Sequence, residues 1–239
     1  RNDQGSTRVY EEQSLRLIPI ILNSSHTRGI RIDRDRVVAA IRDYQSLVGE
    51  AFALARCACG YAINLRSETQ VKEYLYDIAK FPVQKSGKRK VAGAKSKGQS
   101  SDTDAINALR MSILPFDADH ENSEGLSLDY ILQRLDGGAD MFLEALALHS
   151  YAFATMNTYL YGLCKSVYEL VEPDEEARKR KAKKAREELR SRQVTVEDVC
   201  ERVYPDVSQH TQANGRWSWT DPPMTGVPKS LHHIFIPDP

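Results

Sequence analysis

Apolar residues recur at helical spacing through most of the chain and give way to short, irregular runs only near its end. In 10–28, Leu15, Leu17, Ile18, Ile21 and Leu22 predict a helix, with Pro19 as a kink and Gly29 as a left-handed cap. Residues 29–32 read as a brief extended piece. Asp33 is then the N-cap of a long helix through Cys59, whose broad apolar face carries Val37, Val38, Ile41, Tyr44, Leu47, Val48, Ala51 and Leu54, and Gly60 stops it. A helix over 67–80 opens on Ser67-Glu68-Thr69-Gln70, the pattern of a capping box. Ser101 or Asp102 caps a short helix to Leu114, and helices follow over 126–135 and 139–170, the latter too apolar for a surface helix. Residues 172–192 predict a charged helix with acid early and base late, the order that the helix dipole favours. It has almost no apolar stripe and is expected to project into solvent. After Cys200, Val203, Tyr204, Val207, Trp217, Trp219, Ile234, Phe235 and Ile236 mix with Pro, Gly and Thr, which predicts short strands and turns. Trp217 and Trp219, two apart, would share one side of a strand, where core packing is the expected role. The fold class is therefore mainly α with a small β portion (α+β).

Composition narrows this reading more by exclusion than by suggestion. The 239 residues make one large domain or one and a half small ones. With 41% hydrophobic and 28% charged residues, wholesale disorder is excluded. No apolar run is long enough to cross a bilayer. The chain opens polar and without Met, so no signal peptide is expected, and a processed product or a piece of something longer is. Cys57, Cys59, Cys164 and Cys200 are too few for a disulfide scaffold, and no second Cys or His pair stands at zinc spacing, so structural thiols are expected. His232-His233 reads as an edge or loop pair. There is no Gly-rich phosphate loop, nucleophile elbow or Ser/His/Asp set. The pairs Asp33/Asp35, Asp102/Asp104 and Asp117/Asp119 stand where caps and loops use them.

Charge is where the chain departs from the ordinary. Thirty-three Lys and Arg balance thirty-three Asp and Glu, yet 85–97 holds six basic residues and no acidic one. This stretch lies in 82–101, a Lys-, Gly- and Ser-rich run that buries nothing and is expected to be a flexible excursion. In 178–192, nine basic residues face only Glu187 and Glu188. Blocks of one sign attract polyanions, of which nucleic acid is the commonest.

The run from Arg202 to Arg216, followed by Ser218, Asp221-Pro222, Val227-Pro228 and Phe235-Ile236-Pro237, resembles one region of family-A DNA polymerases of the bacterial polymerase I type. It is the segment just before the first catalytic carboxylate, with its Arg-Ile-His, Gln, Thr-Gly-Arg, Asp-Pro and Ile-Pro in order and without a gap to Arg216. Upstream, Gly29 to Asp33 is similar to the Gly-Ile-x-Ile-Asp that opens the thumb. Asn64, Ser67 and Gln70 resemble its Asn-x-x-Ser-x-x-Gln helix start, and the basic 82–101 run its thumb tip. Thr158-Tyr159 looks like the end of its long Ser-Thr-Tyr helix. The likeness covers roughly residues 10–239. It implies a lead-in helix (1–28), a helical thumb (29–170) with its basic tip at 82–101, a charged helical insertion (171–200) and the start of a palm sheet (201–239).

By the same resemblance, Lys85, Lys88, Arg89, Lys90, Ser100, Ser101 and Thr103 would contact the phosphates of a primer–template duplex. Gln209 would position the primer strand. Arg216 would reach the minor groove at the primer terminus, where acceptors recur with every correct base pair. The family's Asp-Tyr-Ser strand and later His-Asp turn have no counterpart in these residues, so no catalytic or metal-binding residue is expected here. Mg²⁺, the palm and the fingers would come from another chain or segment, the compartment being wherever DNA is: cytoplasm, nucleoid or organelle. Departures are the replacement of Asn-Leu-Gln-Asn by Pro223-Met224-Thr225-Gly226, and of a phosphate-contacting Lys by Met156. The alternatives are a non-catalytic DNA-binding or replisome-accessory protein derived from a thumb, and a helical RNA- or ribosome-binding protein using 178–192. For that basic helix itself, a solvated face is weighed against extra duplex contact or a partner docking surface.

Overall fold

Ile30-Arg31-Ile32 is the middle strand of a three-stranded antiparallel sheet, because an alternating apolar triplet between Gly29 and Asp33 has no room to be anything longer. The computed structural model describes residues 28–82, 103–113, 132, 135, 140–170, 174–208, 218–220, 222–224 and 226–236. The predicted helix over 10–28 thus lies almost wholly outside the described residues. Mostly helical with a small antiparallel sheet, the chain is of the α+β class. It divides into two units, Arg1–Ile41 with Met156–Pro239, and Arg42–Thr155.

In the first unit the sheet order is β2 (Arg202–Val203), β1 (Ile30–Ile32), β5 (Phe235–Ile236). The register pairs Ile30 with Val203 and Ile32 with Phe235. Gly29 sits at φ +66°, and a Cβ there would meet the Tyr204 ring at 2.7 Å and the Val203 carbonyl at 2.9 Å. Only glycine satisfies both constraints. Asp33 caps the Arg34–Cys59 helix as predicted, its Oδ1 accepting from the Arg36 amide at 3.1 Å. A separate ladder joins β3 (Asp206–Ser208) to β4 (Ser218–Thr220), antiparallel.

The helix expected over 139–170 is not continuous. Met141–Thr155 is α-helical, Met156–Leu160 widens to a π-turn, and Tyr161–Leu163 tightens to 3₁₀. At Cys164 the backbone turns extended (φ −83°, ψ 139°) and bridges to Val199, while the Cys200 amide donates to the Leu163 carbonyl at 3.0 Å. No proline or glycine cluster announces this break; backbone groups from some 35 residues away impose it. Burial pushes the Cys164 and Cys200 thiols up to about 12 and 11, so both stay protonated at neutral pH.

The charged helix, Glu175–Ser191, also departs from expectation. Asp174 caps it through Oδ1 and Oδ2 to the Glu176 and Ala177 amides, each at 3.2 Å. Its far end does not project freely into solvent: Leu189 is 1% exposed, and the helix packs against the Lys165–Tyr168 turn. One leucine in the last turn is too sparse a signal to read as an apolar stripe.

The second unit is built on the buried helix Met141–Thr155. Residues 142–149 are buried in succession, as its all-round apolarity predicts. Asp140 Oδ1 caps it, accepting from the Phe142 and Leu143 amides at 2.9 and 3.1 Å. Against it lie Ala51, Ala55, Leu75, Ile106 and Leu109, and the Tyr74 ring, its centroid 4.1 Å from that of Phe142. The predicted capping box at Ser67 is half made. Ser67 Oγ accepts from Gln70 N at 3.5 Å, but the Gln70 carboxamide reaches past it to the Asn64 amide at 2.8 Å. The Ser67 amide already donates to the Asn64 carbonyl at 2.9 Å and has nothing left to offer. After Lys72 the helix widens to a π-turn at Glu73–Ile78 and ends at Lys80, φ +57°.

A helix buried on every side must pair its polar residues, and His149 is the exception. It is 5% exposed, edge-on to Phe52 at 5.2 Å and stacked on Phe153 at 5.5 Å, and its Nε2 has no hydrogen-bond partner among the described residues. Burial first, then the Arg66 guanidinium, which lies 4.8 Å over the Phe153 ring, push its pKa down to about 4. Between pH 6.5 and 4 the unfolded chain therefore binds the proton that the folded chain refuses, and stability falls as the pH falls through that window. We expect a loss on the order of 2 kcal/mol from this site between pH 7 and 4.5. Urea denaturation at both pH values, with and without His149→Leu, checks it: the substitution should flatten that part of the profile, and parallel profiles would contradict the burial argument.

Candidate nucleic-acid interface

Lys85, Lys88, Arg89, Lys90, Ser100, Ser101, Gln209 and Arg216 all lie outside the described residues, as do Trp217 and the side chain of Trp219. Of the predicted contact residues only Thr103 is described. It is the first residue of the Thr103–Ile113 helix and is exposed, as a phosphate-contacting hydroxyl there would need to be.

The frame on which the undescribed residues are mounted is well defined. On its entry side, 83–102 follows Phe81, whose amide donates to the Leu75 carbonyl at 2.9 Å. On its exit side it joins the Thr103–Ile113 helix, which buries Ala105, Ile106 and Leu109. This helix is locked by Arg110, which is 4% exposed: its Nε and Nη2 donate to the two oxygens of Glu144 at 3.1 and 3.0 Å. Both ends of the basic run are thus anchored in the same core. Gln209 and Arg216 belong to 209–217, which the chain enters from Ser208 and leaves at Ser218, and Ser208 and Ser218 are paired across the ladder.

The segment that ends at Gly226-Val227 is held from two directions. Tyr159 Oη donates to the Gly226 carbonyl at 2.9 Å. His232 Nε2 lies 3.2 Å from the next carbonyl, Val227, and since a carbonyl can only accept, this nitrogen carries the proton. Gly226 itself stands at φ +80°. Pro222 is buried and lies against Gly162, where a Cβ would meet its ring at 3.6 Å. Thr158-Tyr159 and 221–228 were separate pieces of the sequence; folding joins them. The roles of Tyr159 and His232 were missed because a hydrogen bond to a carbonyl 67 residues away leaves no local pattern, and the two histidines read only as a loop pair.

Met156 is 3% exposed. Among the described residues no group of three or more His, Cys, Asp or Glu could hold a metal ion, and no step through Mg²⁺ is derived from them. Among the same residues no helix is long and apolar enough to cross a membrane.

No family model matches the chain, and no curated protein does. Among solved structures, it is similar to the POL domain of Pol1 from M. smegmatis in complex with DNA primer-template and dNTP. The TM-score is 0.50 and the identity 20%, over 87% of this chain and 25% of that one. The chain therefore spans about a quarter of that protein's length, and the likeness is one of fold: this chain has a polymerase-like fold.

Proposed function

We propose that the chain is the thumb and early palm of a family-A type DNA-directed DNA polymerase, gripping primer–template duplex without reading its sequence. The observation that supports this reading is the polymerase-like fold over 87% of the chain. The grip is electrostatic. Lys85, Lys88, Arg89 and Lys90 neutralise phosphates, and Ser100, Ser101 and Thr103 donate to phosphate oxygens. Gln209 and Arg216 act at the primer end. The metal-binding palm and the fingers, with Mg²⁺, are supplied by another chain or segment, so that this chain by itself does not polymerise.

Arg216 tests the reading most sharply. Purine N3 and pyrimidine O2 occupy equivalent minor-groove positions in every Watson–Crick pair, and a mispair displaces them. Arg216→Ala is expected to leave binding to a matched primer terminus within about threefold while reducing discrimination against a mismatched terminus about tenfold, as loss of a 1–3 kcal/mol contact implies. Fluorescence anisotropy with the two duplexes decides; equal losses on both would remove Arg216 from the groove.

The substitution of Pro223-Met224-Thr225-Gly226 for amide side chains favours a second reading, a non-catalytic DNA-binding or replisome-accessory protein. Native mass spectrometry of material from the source separates the two. A tightly bound second chain whose complex extends primers supports the polymerase; a lone 27.0 kDa species that binds duplex supports the accessory protein.

A further inference from the structure

We infer that the Glu175–Ser191 helix is a second duplex-binding surface, independent of the 85–97 loop, which takes the phosphate backbone of double-stranded DNA whatever its sequence. The helix segregates its charge by position rather than by face. Glu175 and Glu176 open it and Glu187 and Glu188 stand near its end, while 178–186 holds seven cations and no carboxylate. Nine helical residues span about 12 Å, a length over which duplex DNA presents about seven negative charges. Two of these cations reach back to the acidic turn: Lys179 Nζ lies 2.8 Å from Glu175 and 3.5 Å from Glu176, and Arg180 Nε donates to the Glu176 carbonyl at 3.3 Å. Arg180, Lys183 and Lys184, at spacings of three and four, share one face and are exposed. Like charges at those spacings weaken an isolated helix by a few tenths of a kcal/mol per pair, a cost that nothing in the fold repays.

What distinguishes this helix from a solvated charged tail is a capped start and an anchored far end. Asp174 caps its start, and Leu189 is buried at its far end. The chain then returns through a stitched segment. Arg192 grips Asp198 at 2.7 and 2.8 Å, Arg34 Nε donates to the Val196 carbonyl at 2.7 Å, and Val199 bridges Cys164. Cations on a fixed rod lose less freedom on binding than cations on a loose chain. The exposed face also points to the chemistry of the partner. Arg180, Lys181, Lys183, Lys184, Glu187 and Glu188 offer no aromatic or aliphatic anchor, which a protein interface needs at its centre and an amphipathic membrane helix needs along one side. A polyphosphate needs neither.

The test uses the whole chain carrying Arg180→Gln, Lys183→Gln and Lys184→Gln, glutamine being a good helix former so that circular dichroism should not change. Binding to a random-sequence 20-bp duplex is followed between 50 and 200 mM salt. The slope of log K against log salt should become shallower by about 2.7, three phosphates at about 0.9 each, with affinity at 100 mM down at least tenfold. Arg180→Lys, Lys183→Arg and Lys184→Arg together should bind as the parent does. An unchanged slope overturns the inference, as does a triple-Gln variant that keeps duplex affinity but no longer binds polyglutamate, which would assign the surface to an acidic protein. The loop variant Lys85→Gln/Lys88→Gln/Arg89→Gln/Lys90→Gln, run alongside, keeps the two readings apart. If only the loop variant weakens, this inference falls and the thumb grip stands; if only the helix variant weakens, the reverse holds.

Discussion

Replacing Glu144 by Ala is expected to destabilise the Arg42–Thr155 unit by about 3–5 kcal/mol. Arg110 and Glu144 are 4% and 1% exposed, and both carboxylate oxygens are taken by the guanidinium fork, with Arg110 Nη1 donating in addition to Asn107 Oδ1 at 3.2 Å. Removing the carboxylate leaves a guanidinium buried with its principal partner gone, and the desolvation cost of that charge is no longer offset. The pair as a whole is a different matter. Arg110→Met with Glu144→Leu takes both charges away at similar volume, and such replacements are often neutral or stabilising. The double variant should therefore recover most of what the single one loses. Urea midpoints for the parent, the two singles and the double form the cycle. A single-variant loss under about 1 kcal/mol would mean that the pair is solvated in solution and that the helix bearing Thr103 is held by apolar contacts alone.

Neutralising the basic loop is the second large effect. With Lys85, Lys88, Arg89 and Lys90 all changed to Gln, the proposed grip predicts a loss of duplex affinity on the order of 100-fold near 100 mM salt, and a salt slope shallower by about 3.6. The reasoning is counterion release: each ammonium or guanidinium on a phosphate frees about 0.9 of a condensed cation, and the entropy gained is greatest when bulk salt is low. Because the substitutions leave Leu75 and Leu109, which anchor the two flanks of the segment, unchanged, the urea midpoint should not move. Titration of the same duplex across the salt series reads both quantities. A slope equal to the parent's would remove the basic tip from the interface, and an affinity loss that persists undiminished at 500 mM salt would show that something other than charge was changed.

Much of the fold was legible because it is written in short-range chemistry. A carboxylate at Asp33 faces an amide three residues on, and Gly29 takes a conformation that a Cβ would forbid. The run 142–149, apolar but for Glu144 and His149, announced burial on every side. The sequence therefore determined by itself, among the described residues, the helix starts at Asp33, Ser67 and Asp174 and the concentration of positive charge at 178–192. What it left open depends on groups far apart in the chain. The break at Cys164 comes from Val199 and Cys200, and Leu189 is buried by a fold that returns through Arg34 and Asp198. The turn at 222–228 acquired its supports, Tyr159 and His232, from two other segments. Periodicity and capping act over one or two turns of backbone, whereas these contacts form only once the cost of closing long loops has been met by burial elsewhere. Tertiary structure alone decides them.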